Sequence, residues 1–72
     1  MSVLTPRQQQ VLDVIKRSIA ERGFPPTLKE IGAACGIASN NGVNDHLHAL
    51  ERKGAIERTP LVSRGIRVLE QA

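Results

Sequence analysis

The sequence predicts an α+β domain in which three helices are followed by a two-stranded antiparallel hairpin. Three observations lead there. Three stretches with helical apolar spacing each begin at a Thr or Ser able to cap a helix, and each ends at a Gly. After the third Gly the apolar residues change to strand-like alternation.

The first stretch is "LTPRQQQVLDVIKRSIAERG". Thr5 is the N-cap, Pro6 takes the first helical position and Gln8 stands three residues after the cap, which is a capping box. Leu4 precedes the cap and can fold back on the helix. Val11, Leu12, Ile15 and Ile19 share one face, while Arg7, Gln10, Lys16, Arg17 and Glu21 are spread around the rest. Gly23 ends the helix.

"FPPT" cannot continue a helix, because each Pro holds the residue before it in extended geometry. Phe24 is expected as a core plug between helices. Thr27 and Glu30 form a second capping box for "LKEIGAAC", with Leu28, Ile31 and Cys35 inward. Gly32 and the pair Ala33 and Ala34 are small enough to let another helix axis approach. Cys35 is read as a packed small hydrophobe.

Gly36 turns the chain and Ile37 returns it to the core. Ser39, or alternatively Asn40, caps the third helix, which carries the stripe Val43, Leu47 and Leu50 with His46 on its edge. Arg52 and Lys53 lie in its last turn and Gly54 ends it. Two strands follow, Ala55 to Thr59 and Arg64 to Leu69, with Ile56, Ile66 and Val68 inward. Two helices joined through the short turn at Gly36 make a helix-turn-helix, and the hairpin must lay its apolar face on them, because a lone two-stranded hairpin is marginal. The architecture is a winged helix-turn-helix filling residues 1–72 as one domain.

Composition narrows the function. A chain of 72 residues has room for one small core with a net stability of only a few kcal/mol. A net charge of +3 favours a polyanionic partner, and a single aromatic residue argues against single-strand binding on stacked rings, which leaves duplex DNA. One cysteine excludes an internal disulfide, and no apolar run is long enough for a membrane span, so a cytoplasmic, nucleoid-associated protein is expected. The carboxylates are scattered, no Ser or Cys has a spaced base, and His46 and His48 point to different sides of one helix. No enzyme, metal or cofactor is therefore expected.

The polar side of the third helix carries the chemistry. At about 100° per residue, Asn41, Asn44, Asp45, His48 and Arg52 fall opposite the apolar stripe. Asn suits the adenine edge, Asp can accept from the cytosine amino group, and Arg can donate to guanine or phosphate. Asn41, Asn44 and Asp45 are the first candidates for base reading, with His48 nearer the edge and Ser39 and Gly42 allowing close backbone approach. Asp45 either accepts from cytosine or lies just outside the contact, since phosphates repel it. Phosphate contacts are expected from Arg7 and Gln8 at the start of the first helix, from Arg52 and Lys53, and from the hairpin residues Arg58, Arg64 and Arg67.

These segments together resemble the LexA family of bacterial repressors in its N-terminal DNA-binding domain. The resemblance rests on "LTPRQQQVLDVI", "GFPPTLKEI", the Gly36 turn, "HLHALERKGAIE" and "SRGIRVL", in order and over essentially the whole chain. It implies a transcriptional repressor of DNA-damage (SOS) genes, bound as a homodimer to a palindromic operator. It also implies base reading by Ser39, Asn41, Gly42, Asn44 and Asp45, with the wing beside Ser63 and Arg64 near the DNA backbone. Asn40, Gly42 and the pair Asn44 and Asp45 stand where the best-known members have Pro, Ala and two Glu, so a changed operator preference is expected. Family members continue into a self-cleaving domain with a Ser/Lys dyad that supplies most of the dimer contact. A chain ending at Ala72 is expected to be a fragment or a small regulator, monomeric unless DNA organises two copies. The alternative is an interaction module that tunes a full-length repressor through Leu61 and Val62 in the hairpin loop; an architectural DNA binder is a third reading.

Overall fold

A computed structural model describes residues 4–59, 62 and 64–69. Three helices, α1 (Pro6–Arg22), α2 (Leu28–Cys35) and α3 (Asn40–Arg52), precede strands β1 (Ile56–Arg58) and β2 (Ile66–Val68). The strands form one antiparallel sheet in the register Ile56 to Val68, Glu57 to Arg67 and Arg58 to Ile66. The order is that of a winged helix-turn-helix.

Each helix begins where its cap dictates. The Thr5 hydroxyl accepts from the Gln8 amide at 3.2 Å while the Gln8 side chain accepts from the Thr5 amide at 3.1 Å, so two orphan donors are satisfied reciprocally. Thr27 and Glu30 repeat the arrangement on α2 at 3.2 and 2.9 Å. At α3 the Ser39 hydroxyl accepts from the Gly42 amide at 3.1 Å, which settles the cap in favour of Ser39 over Asn40. The end of α3 is closed by Gly54 at φ 76°: its amide donates to the Glu51 carbonyl and the Ala55 amide to the Leu50 carbonyl, a Schellman closure.

The core sits where the three helices and the hairpin converge. Val11, Ile15, Ile31, Val43, Leu47 and Leu50 are fully buried, joined by Leu12, Cys35, Ala55, Ile56 and Ile66. Leu4, Ile19, Leu28 and Val68 pack against this cluster while partly exposed. Burial pushes the Cys35 thiol above its ordinary range against the pull of Arg7, as suits a packed rather than a reactive sulfur.

Three expectations are revised. Phe24 is no core plug: 38% of it is exposed, and the guanidiniums of Arg22 and Arg64 lie over its ring. Its backbone carbonyl accepts from Ser18, a buried hydroxyl on the α1 face that hydrophobic spacing overlooks. Of the small residues in α2, Gly32 is the one in tight contact, since a Cβ there would lie 2.9 Å from the Ile37 carbonyl oxygen and 3.5 Å from Val43 Cγ2; Ala33 and Ala34 are exposed, Ala34 at a groove beside α1. The strands are shorter than expected, yet hairpin-type bonds from Leu69 to Ala55 and from Thr59 to Gly65 extend the pairing at both ends. Leu61 and Ser63 lie outside the described residues.

Candidate nucleic-acid interface

The helix-turn-helix is set by α2, the turn at Gly36 and α3. Gly36 adopts φ 69° and the Ile37 amide donates to the Gly32 carbonyl, so the chain reverses and directs Ile37 toward the core. The full burial of Val43, Leu47 and Leu50 then fixes the roll of α3. Whatever lies opposite those three side chains must face solvent.

That outer row consists of Asn41, Asp45, His48 and Arg52, all exposed, with Asn44 half-buried beside it. The amides of Asn41 and Asn44 and the carboxylate of Asp45 have no internal hydrogen bond or ion pair among the described residues. His48 lies 3.7 Å from Glu51, whose carboxylate is also 3.8 Å from Arg58 on β1, so the hairpin runs alongside α3. Ser39 is exposed at the start of the row; its oxygen accepts from Gly42, which leaves the hydroxyl proton to donate outward. Gly42 is half-buried on the other flank, and a Cβ there would sit 2.9 Å from Ile37 Cγ2. Its lack of a side chain seats α3 on the turn as much as it opens the outer surface.

The cationic residues separate into two groups. Arg7 is exposed but donates to the Cys35 carbonyl at 2.6 Å, which caps the end of α2. Gln8 accepts from Lys53 at 2.6 Å, joining the start of α1 to the end of α3. Arg67 faces solvent opposite Glu57, 3.9 Å away across the hairpin. Arg64, expected at the wing surface, instead grips Glu30 with both terminal nitrogens at 2.7 and 3.1 Å and donates to the Pro25 carbonyl at 2.9 Å. Arg52 stays at the surface with no internal partner among the described residues.

Lys29 is a cation that the sequence pattern does not single out. It is exposed in the first turn of α2 and lines, with Arg58, a shallow groove between that turn and the hairpin. The signal available was a cation beside a capped helix start, and only the packing of a strand about thirty positions away gives it a neighbour. Among the described residues, no helix is long and apolar enough to cross a membrane, and no three acidic, His or Cys side chains form a metal-binding group.

Comparison with known proteins gives a consistent picture. A family model described as "LexA DNA binding domain" matches residues 1–65. The chain is 64% identical over 67 residues to the "LexA repressor" of Sorangium cellulosum, covering 93% of this chain and 29% of that protein. It is 54% identical over all 72 residues to the "LexA repressor" of Methylococcus capsulatus, 36% of whose length is covered. A match of 56% over 68 residues links it to the "LexA repressor" of Ralstonia pickettii, covering 94% of this chain and 32% of that protein. The chain thus spans about a third of the length of the curated relatives it matches.

Proposed function

The chain belongs to the LexA DNA-binding domain family, and from that premise we propose that it is a sequence-specific repressor module that seats α3 in the major groove of operator DNA. The observation that carries this reading is the outer face of α3, where the side-chain amides of Asn41 and Asn44 and the carboxylate of Asp45 have no internal partner among the described residues. Polar groups without internal partners on a helix fixed by its buried side are available to base edges. Asn41 and Asn44 are suited to adenine, and Arg52 to guanine or phosphate. Ser39 and His48 flank the contact.

Asp45 supports specificity through its sign. An unpaired carboxylate facing phosphates costs affinity on any duplex unless a cytosine amino group donates to it. Asn44 and Asp45 therefore assign this chain an operator preference different from that of members with two Glu at these positions. Arg7, Lys29, Lys53, Arg58 and Arg67 supply the positive surroundings that hold the duplex, with Gln8 at the start of α1. Two copies meet on a palindrome of DNA-damage genes, as the family reading implies, with DNA organising the pair.

The test is selection from random duplexes followed by salt-titrated binding of the winner and a scrambled control. A palindromic winner bound by two copies, at least about tenfold more tightly than the scramble, is expected. Equal weak binding to all duplexes would overturn the reading. It would favour a protein-interaction module instead, a second reading kept by Val62, which is 55% exposed in the hairpin loop.

A further inference from the structure

One carboxylate in this molecule is used by three separate parts of the chain. Glu30, at the third position of α2, accepts from the Thr27 amide at 2.9 Å, from Arg22 at the end of α1 at 3.2 Å, and from Arg64 of the hairpin at 2.7 and 3.1 Å. Arg64 is held further by the Pro25 carbonyl at 2.9 Å, and both guanidiniums lie over the Phe24 ring, 4.5 and 4.6 Å from its centroid. The hairpin it restrains has a three-pair ladder extended by one backbone bond at each end, and a two-stranded hairpin of this size depends on contacts with the helices to fix its direction. An exposed ion pair alone would restrain little, but a bidentate pair with a carbonyl and a ring behind it has one favoured geometry.

We propose that Glu30 is a positioning residue for DNA recognition: through Arg64 it holds the wing at the angle to α3 at which the hairpin meets the duplex. The inference rests on the DNA-binding reading above. It changes the role of Arg64 from a phosphate contact to an internal strap. It also accounts for the exposed Phe24, which serves as the surface on which the strap lies.

Charge and position make opposite forecasts, which gives the test its force. Removing a carboxylate from a protein that binds a polyanion should tighten binding to every duplex if charge alone matters. If Glu30 positions the wing, Glu30→Gln should weaken binding to the preferred duplex. Gln is an ordinary residue at this place in a capping box, so the start of α2 keeps its bond from the Thr27 amide. Arg64→Lys retains the charge but loses the two-pronged grip and serves as the second variant.

The experiment compares wild type, Glu30→Gln, Arg64→Lys and the double variant by amide hydrogen exchange of the free protein and by binding to the selected and scrambled duplexes. The wing amides of Thr59 and Gly65, which close the hairpin loop by bonding to the Gly65 and Val62 carbonyls, report the strap. They should exchange about tenfold faster in each variant, with no further change in the double variant, while the amides of Val43 and Leu47 keep their protection. Binding to the preferred duplex should fall about tenfold in all three variants, and binding to the scramble should not. Unchanged wing exchange, equal acceleration in wing and α3, or tighter binding of Glu30→Gln to every duplex would each overturn the proposal. Were wild type to prefer no sequence, the DNA reading would fail, while the exchange arm would still decide whether the strap exists.

Discussion

The carboxyl group of Glu30 is the most strongly perturbed acid among the described residues. The Arg64 guanidinium first, and then the Thr27 amide and Arg22, hold it at about 2 against an ordinary 4.5, with partial burial opposing them. The folded protein therefore binds this proton more weakly than the unfolded chain does, and the stabilisation is complete above pH 4.5 and lost as the pH falls toward 2. A thermal melt series across that window should show wild type losing stability more steeply than Glu30→Gln, and parallel curves would contradict the assignment. A second residue-level expectation concerns Asp45. Asp45→Asn should raise affinity for scrambled duplex more than for the preferred one, so that the ratio between them shrinks by about tenfold in a competition assay.

At the scale of elements, the glycines of α2 and α3 make opposite forecasts. A methyl at Gly32 would meet the Ile37 carbonyl oxygen at 2.9 Å, and backbone cannot easily yield. Gly32→Ala should cost about 1–3 kcal/mol in denaturant unfolding. A methyl at Gly42 would meet the Cγ2 branch of Ile37 at 2.9 Å, a side-chain group that can shift where backbone cannot, and Ala is the better helix former by about 1 kcal/mol, which offsets the cost of that shift. Gly42→Ala should be neutral or stabilising in the same measurement. Helix starts were legible in the sequence because Thr5, Thr27 and Ser39 act on amides three residues away, a purely local interaction. Arg64 was not legible, because its partner Glu30 is 34 positions earlier and only the docking of the hairpin joins them. Phe24 misled for a related reason: apolarity suggests the core, whereas two cations offered the ring a place at the surface.

At the scale of the whole molecule, one small core supports every surface. Leu47→Ala should cost about 3 kcal/mol, comparable to the full stability of a domain this size, and circular dichroism should find the variant largely unfolded at room temperature. The outer row of α3 was legible because the period of Val43, Leu47 and Leu50 fixes what lies opposite. The cationic surround was legible only in composition, since whether Arg7, Lys53 or Arg64 faces inward depends on how the elements are assembled. Salt titration separates the two groups. Arg52→Gln should lower the slope of log affinity against log salt by about one if Arg52 meets a phosphate, whereas Arg64→Gln should leave it unchanged.

Asn41, Asn44 and Asp45 have no internal partner among the described residues, and the buried stripe of α3 would stay as it is if they changed. Substitutions at such surface positions ordinarily alter stability by less than about 0.5 kcal/mol. Mutation can therefore explore these positions while hardly reducing the fraction of folded molecules. On the DNA-reading role proposed for them, a lineage carrying this domain can drift from one set of target sites to another through folded intermediates, because the residues proposed to read are not those that hold the fold together.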